Sequence, residues 1–487
     1  MDFFNELEHL ISSQGTVNAS TADVLAEIGS PSVSIAVLDH GSIASKCIST
    51  MGDNSETLFQ ACSISKTITG MATMRLVQAG KLKLEDKIVD VIPRQTVEIL
   101  ETPYTKTLLQ EITVKHIMSH TSGLTVGGFP GYSKEAPSTE VLLSGKAPAN
   151  TLQVRVQGFP GYAFSYSGGG MTVLQIVLEA VTGKDFAELV KELVLGPLEM
   201  TRSFYALAEG ETNVTRAHFT GYTPSDVRWH IQPEKAAAGL WTTPSDLLKV
   251  VRAMHRSLES GDGKEFLEKE IAAQMLEEVA NTMALMWIAP RDPGIAFGHG
   301  GSNFPGWECF VMGYADLRPQ SGKEDRLLEE KAWDDCGICI MTNSAAGFAV
   351  WAKVFHAISY LKKWAPIPYF DGRTPFGTVP FCAYGARVDK RWVEWKGTWA
   401  DRGKELIVEG DEDGEPNLRY EKGSRARLVP AAIPGIEYAG DWKSIDLVLE
   451  GLEMMVRLGW TAEKRSVELW QGVVGPDRVA HLTRGEA

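Results

Sequence analysis

The period of the apolar positions changes several times along the chain, and each change predicts an element. Residues 1–29 read as a helix leading into a loop. Val33 to Leu38 is mostly apolar and is followed by Asp39-His40-Gly41-Ser42, which predicts a strand, a tight turn and a return strand to about Ile48. Cys62 to Gln78 has helical spacing and stops at Ala79-Gly80, with glycine at a C-cap position. A helix-rich stretch runs on to about residue 205, interrupted by a Gly- and Pro-rich loop from Gly123 to Gly161. Within that loop Gly128-Phe129-Pro130-Gly131-Tyr132 recurs as Gly158-Phe159-Pro160-Gly161-Tyr162, two copies that are too few for a solenoid.

From Met283 the pattern turns to strands: Ala284 to Ile288, Ile295 to His299, Cys309 to Tyr314 and Gly337 to Met341. The charged segment Asp316 to Asp335 reads as a surface excursion. Phe348, Trp351, Phe355 and Ile358 recur at helical spacing, which predicts a helix over 345–363 with one apolar face. Past Pro366-Ile367-Pro368 the chain becomes a series of short alternating runs between Gly and Asp turns, with Trp392, Trp395, Trp399, Trp442, Trp460 and Trp470 among them. Asp411-Glu412-Asp413-Gly414 marks a hairpin tip. The expected organisation is therefore a large domain over 1–370 and an antiparallel β domain, barrel-like, over 371–487. The tryptophans are read as the core of the latter.

The 487 residues are 44% hydrophobic and 23% charged, ordinary for a globular protein and against disorder as the main theme. The 48 Lys and Arg face 62 Asp and Glu, a formal charge of −14, so nucleic acid is not an expected partner. No apolar run is long enough to span a membrane, and no membrane partner is expected. The first residues lack a basic n-region and an apolar h-region, so no secretory signal is read and a cytoplasmic location is expected. Six cysteines at 47, 62, 309, 336, 339 and 382 form no disulfide framework. Cys336 and Cys339 are spaced C-x-x-C, but on a buried strand residues three apart point to opposite faces, so they are expected to be buried free thiols.

Ser63-Ile64-Ser65-Lys66 opens the first long helix. Residues i and i+3 share a helical face, so Ser63 and Lys66 point the same way. A serine hydroxyl is a weak nucleophile without an adjacent base, and lysine, with a solution pKa of about 10.4, serves as one only in its neutral form. Ser359-Tyr360-Leu361-Lys362 has the same spacing but closes a helix, and is expected to be inert. Other segments follow in order: Thr113 to Leu124, containing His116 and His120; Tyr166-Ser167-Gly168 before an apolar helix ending at Val181-Thr182-Gly183; Gly196-Pro197-Leu198-Glu199-Met200; Ala238 to Leu247; His299-Gly300-Gly301 between two strands; and Met341-Thr342-Asn343 at a strand end.

This ordered series, over roughly residues 25–365, resembles the serine β-lactamase superfamily, in the branch of class C β-lactamases and penicillin-binding-protein-like enzymes that includes esterases, D-aminopeptidases and fungal acyltransferases. The resemblance implies an α/β (α+β) fold, an antiparallel sheet flanked by helices with a mostly helical subdomain. It implies Ser63 as the acylated nucleophile, Lys66 as its base partner and Tyr166 as the tyrosine of the Y-x-N motif. The backbone N–H groups of Ser63 and Ser302 would form the oxyanion hole. His299, Gly300, Gly301 and Gly168 would border the substrate. Gly168 stands in place of the usual Asn and His299 in place of the usual Lys, departures that bear on the substrate and leave the nucleophile, base and tyrosine intact. His116 and His120 are read as structural, not as metal ligands, and Cys62 as a core thiol.

The function expected on this basis is a serine hydrolase or acyltransferase acting on an ester, thioester or amide of a small-molecule acyl substrate, with no cofactor and no metal. The alternatives are a D-amino-acid peptidase, a β-lactamase, and a non-catalytic sensor of the penicillin-binding type. The oligomeric state is not readable from the sequence.

Overall fold

The computed structural model describes residues 2–15, 19–207, 209–259, 265–290, 296–315, 335–364, 379–401, 404–420, 425–433, 443–452, 454–461, 464–471 and 477–484. Most of the Asp316–Asp335 excursion, the expected domain boundary near 370 and Trp442 lie outside them. The chain divides into two compact units, Gly29–Gly347 and Met1–Ile28 together with Phe348–Ala487.

The first unit is built on a five-stranded antiparallel sheet of β1 (Ser32–Asp39), β2 (Ser42–Ser49), β3 (Ala296–Asn303), β4 (Trp307–Tyr314) and β5 (Cys336–Thr342), in the order β2-β1-β5-β4-β3. The β1–β2 turn uses positive φ at His40 and Gly41, the twist that suits a two-residue hairpin. β5 is buried along its whole length, which explains its continuous apolar run. The expected strand at 284–288 is absent. Met286 takes a φ of 67° there, and the segment forms turns with isolated bridges from Ile288 to Met283 and to Gly298.

Four helices position the site: α1 (Ser65–Gln78), α2 (Gly168–Thr182), α3 (Lys235–Ala238) and α4 (Pro244–Glu259). α4 packs on β1, β4 and β5. Gly313 and Gly337 are cross-strand partners, and a Cβ on Gly313 would lie 2.5 Å from Val251 of α4. On β4, Cys309, Val311 and Gly313 alternate to one face. That face meets Val251 at one end and the Ser63 turn at the other, where the Cys309 thiol donates to Ala61 C=O. α1 is buried on nearly every side, so it is a core helix with no polar stripe.

In the second unit residues 1–28 form two helices, Phe3–Ser12 and Thr21–Ile28, where a single helix is expected from sequence. The helix Gly347–Lys362 carries Ser359, fully buried. The C-terminal segment is a closed antiparallel barrel of eight strands, from Gly397–Asp401 to Asp477–Arg484, sealed by pairing of Trp399 with Arg484 and Ala400 with Thr483. Its interior takes alternate residues: Leu406 and Val408, Ile445, Leu447 and Leu449, Val456 and Leu458. Trp395 and Trp399 belong to this core, and their indole N–H groups donate to Ser466 C=O and Trp395 C=O. All six cysteines are free thiols. Among the described residues no helix is long and apolar enough to cross a membrane.

Candidate active site

A short antiparallel ladder delivers Ser63. Phe59–Gln60 pairs with Trp241–Thr242, and two residues later Cys62 takes a φ of 53°. A non-glycine residue in that region is strained unless its surroundings hold it. Here Ser65 Oγ donates to Cys62 C=O at 2.6 Å and accepts the Leu240 N–H at 3.1 Å. The bend starts a 3-10 turn, Cys62–Ile64, that runs directly into α1. Burial pushes the Cys62 thiol well above its usual range, so this neighbour of Ser63 stays protonated.

Lys66, one turn on, is 2% exposed. Its Nζ donates to Ser63 Oγ at 3.0 Å and to Ala237 C=O of α3 at 2.7 Å. The Tyr166 ring centroid lies 5.1 Å from the same Nζ. Among the described residues no hydrogen bond ties the Tyr166 hydroxyl to Ser63 or Lys66. The three residues named from the S-x-x-K spacing and the tyrosine motif thus stand together, and Lys66 Nζ is at their centre.

β3 is the edge strand that borders them. Gly298 exchanges both backbone hydrogen bonds with Ile288 on the outer side, at 2.9 Å each. The ladder to β4 is unbroken from Ala296 to Asn303. Backbone groups alternate along a strand, so Gly300 and Ser302 also turn their N–H groups outward, away from β4. A Cβ on Gly301 would fall 2.7 Å from Ala61 C=O and 2.8 Å from both Cys309 Sγ and Cys62 Cβ. Glycine at 301 therefore lets β3 approach the Ser63 turn. At Gly300 nothing lies within 3.8 Å, so this position has no steric need for glycine. Asn303 completes the seam, donating to Gln60 Oε1 at 2.7 Å and Ala238 C=O at 3.2 Å.

His299 is 3% exposed and its Nδ1 meets Gly300 C=O at 2.5 Å, so Nδ1 carries the proton. Nε2 is buried without a partner among the described residues. Burial, reinforced by the positive charge of Lys66, pushes the ring down to about 4, and it is neutral at pH 7. Gly168 opens α2 behind the N-cap Ser167, whose Oγ accepts the Gly170 N–H at 2.8 Å. A Cβ on Gly168 would lie 2.7 Å from Phe129 Cε2 and 3.1 Å from Gly127 C=O. The phenyl ring of the first Gly-Phe-Pro-Gly-Tyr copy therefore fills the space next to Gly168.

Several neighbours were not legible from sequence. Ala237 contributes only its carbonyl, a group every residue has. His120, read as structural, stacks on Tyr166 with ring centroids 4.2 Å apart. Glu234, the residue before α3, has no exposed surface and neither carboxylate oxygen has a partner among the described residues. Burial lifts it to about 7, against smaller opposing pulls from its own backbone N–H and from Lys66. The Nδ1 atoms of His116 and His120 each accept a backbone N–H, from Thr113 and Ser167 respectively. Asn343, fully buried, is used up in structure, bonding Ser30, Ser32, Thr215 and Arg216.

A family model described as Beta-lactamase matches residues 17–357, more than two thirds of the chain. The chain belongs to the Beta-lactamase family. Members of this family are serine hydrolases, and the first unit has their β-lactamase/transpeptidase-like fold. The chain is 27% identical over 238 residues to penicillin-binding protein 4 of Amycolatopsis lactamdurans, a match covering 47% of this chain and 58% of that protein. It is 29% identical over 221 residues to protein Rv1367c of Mycobacterium tuberculosis, covering 41% and 54%. The chain thus spans little more than half the length of these relatives. Among solved structures it is similar to the octameric penicillin-binding protein homologue from Pyrococcus abyssi, with a TM-score of 0.54 at 18% identity, covering 99% of this chain and 100% of that one. It is also similar to the D-amino acid amidase from Ochrobactrum anthropi SV3, with a TM-score of 0.51 at 18% identity, over 70% and 93%. At that identity the likeness is one of fold.

Proposed function

We propose that this member of the Beta-lactamase family is a serine acyl hydrolase or acyltransferase acting on an uncharged ester, thioester or amide. The observation that carries the reading is the 3.0 Å contact between Lys66 Nζ and Ser63 Oγ, with Lys66 held by Ala237 C=O and bordered by Tyr166. Lysine in its neutral form takes the Ser63 proton as Oγ attacks the carbonyl carbon. The resulting oxyanion is met by the backbone N–H groups of Ser63 and Ser302, the latter facing outward from the edge of β3. Lys66 and Tyr166 pass the proton to the leaving group, which departs and leaves Ser63 acylated. Water or another nucleophile then releases the acyl group by the reverse proton route.

The preference for uncharged substrates follows from positions 299 and 168. A lysine at 299 would offer a permanent cation to a substrate carboxylate, whereas this histidine is neutral at pH 7. The space beside Gly168, where an Asn amide would contact the acyl side chain, is occupied by Phe129.

The test is kcat/KM for a short-chain activated ester and for a penicillin on one preparation, with Ser63→Ala as the blank. The expected result is continuing ester turnover, β-lactam turnover at least about tenfold slower, and Ser63→Ala down by about 10³-fold or more. Peptide mapping after a serine-directed phosphonate should place the label on Ser63 alone. Label on Ser359, or one equivalent of product without turnover, would refute the assignment.

A further inference from the structure

His120 has no part in the proton transfers above, yet it holds Tyr166 from three directions. Its carbonyl accepts the Ser165 N–H at 2.7 Å. Its Nδ1 accepts the Ser167 N–H at 3.2 Å. Its ring lies against the Tyr166 ring, tilted by 40°. One residue thus fixes the peptide unit that follows Tyr166, the one that enters Ser165, and the ring between them.

The arrangement has two structural costs. His120 has a φ of 53°, a region that non-glycine residues seldom occupy. Because Nδ1 is an acceptor, the neutral ring carries its proton on Nε2, and that N–H is buried without a partner among the described residues. Burial, with the charge of Lys66, holds the ring well below the usual histidine range, so the Nδ1 lone pair stays available. Glycine would take this φ freely. It could supply neither the acceptor nor the stacked ring. No hydrogen bond joins His120 to Ser63 or Lys66 among the described residues, whereas its ring and Nδ1 contact Tyr166 and the peptide unit that follows it.

We propose that His120 is a positioning residue that holds the Tyr166 phenol where it can exchange a proton with Lys66 and the leaving group. The inference rests on the proton-transfer reading of Tyr166 given above.

The test is a double-mutant cycle on the full chain with the neutral activated ester, using His120→Ala, Tyr166→Phe and the combination. A misplaced catalytic group costs up to about 100-fold, so His120→Ala should lower kcat by about 10–100-fold while KM stays within about threefold. In the Tyr166→Phe background the same substitution should cost less than about twofold, because the group being positioned is gone. His120→Asn, whose Oδ1 can still accept the Ser167 N–H, should recover at least about threefold of the loss. It also carries the cycle if His120→Ala does not fold. The full His120 loss persisting in the Tyr166→Phe background overturns the proposal, as does a Tyr166→Phe enzyme at the unmodified rate. Ser63→Ala separates the two levels: activity surviving it overturns the acyl-enzyme reading itself, whereas its loss beside an additive cycle overturns only the role of His120.

Discussion

A carboxyl group with no exposed surface and no partner among the described residues, such as that of Glu234, stays protonated more readily than one in water. Its pKa rises from the ordinary 4.5 to about 7. Below pH 4.5 both the folded and unfolded chains hold this proton and the difference vanishes. Between there and pH 7 the unfolded chain releases the proton first, so folding stability falls as pH rises, and the loss is complete above pH 7. At about 1.4 kcal/mol per pKa unit the cost is on the order of 3 kcal/mol. Glu234→Gln abolishes the titration. It should raise the unfolding free energy at pH 8 by on the order of 1–3 kcal/mol and leave it nearly unchanged at pH 4.5. Urea unfolding at the two pH values measures this; an equal gain at both would assign the effect to packing.

At the scale of elements, the decisive contact is the seam between β3 and the Ser63 turn. It rests on the missing side chain of Gly301, since a methyl group there meets the Ala61 carbonyl, a backbone atom that cannot step aside. Gly301→Ala should cost about 1–3 kcal/mol and slow phosphonate labelling of Ser63, by pushing β3 off the turn. Gly300→Ala, whose Cβ would meet nothing closer than 3.8 Å, should leave stability within about 0.5 kcal/mol. Thermal melts of the two variants make the comparison, and equal destabilisation would remove the steric account. The barrel obeys a simpler rule, in which every second residue turns inward and the period-2 runs become its core.

For the whole molecule, net charge and site chemistry point the same way. A chain of charge −14 repels anions at long range, and a neutral His299 gives them no local compensation. Raising ionic strength from about 0.01 to 0.15 M shrinks the Debye length from about 30 to 8 Å. The kcat/KM for an anionic ester should then rise by about twofold or more, while that for a neutral ester of the same leaving group stays flat. A rise for both, or for neither, would argue that charge does not govern access. Which unit the first 28 residues join is likewise a tertiary matter: Gln14 exchanges hydrogen bonds with the Cys382 backbone at 2.8 and 2.9 Å, 368 positions away.

Local rules carried much of this protein. The i, i+3 spacing of Ser63 and Lys66, the period-2 runs beyond residue 397, the β1–β2 turn and the order of the motifs are all properties of short stretches, and short stretches obey helical and strand periodicity. The same rules failed at 284–288, where apolar residues suggested a strand and the backbone turned instead, because burial can be met by turns whose hydrogen bonds come from elsewhere. Only the folded chain could bring Ala237 C=O to Lys66, set His120 against Tyr166, and fill the space beside Gly168 with Phe129. Each of these joins residues tens to hundreds of positions apart through a backbone carbonyl, a ring face or an excluded volume, and none of those leaves a mark in the amino-acid pattern.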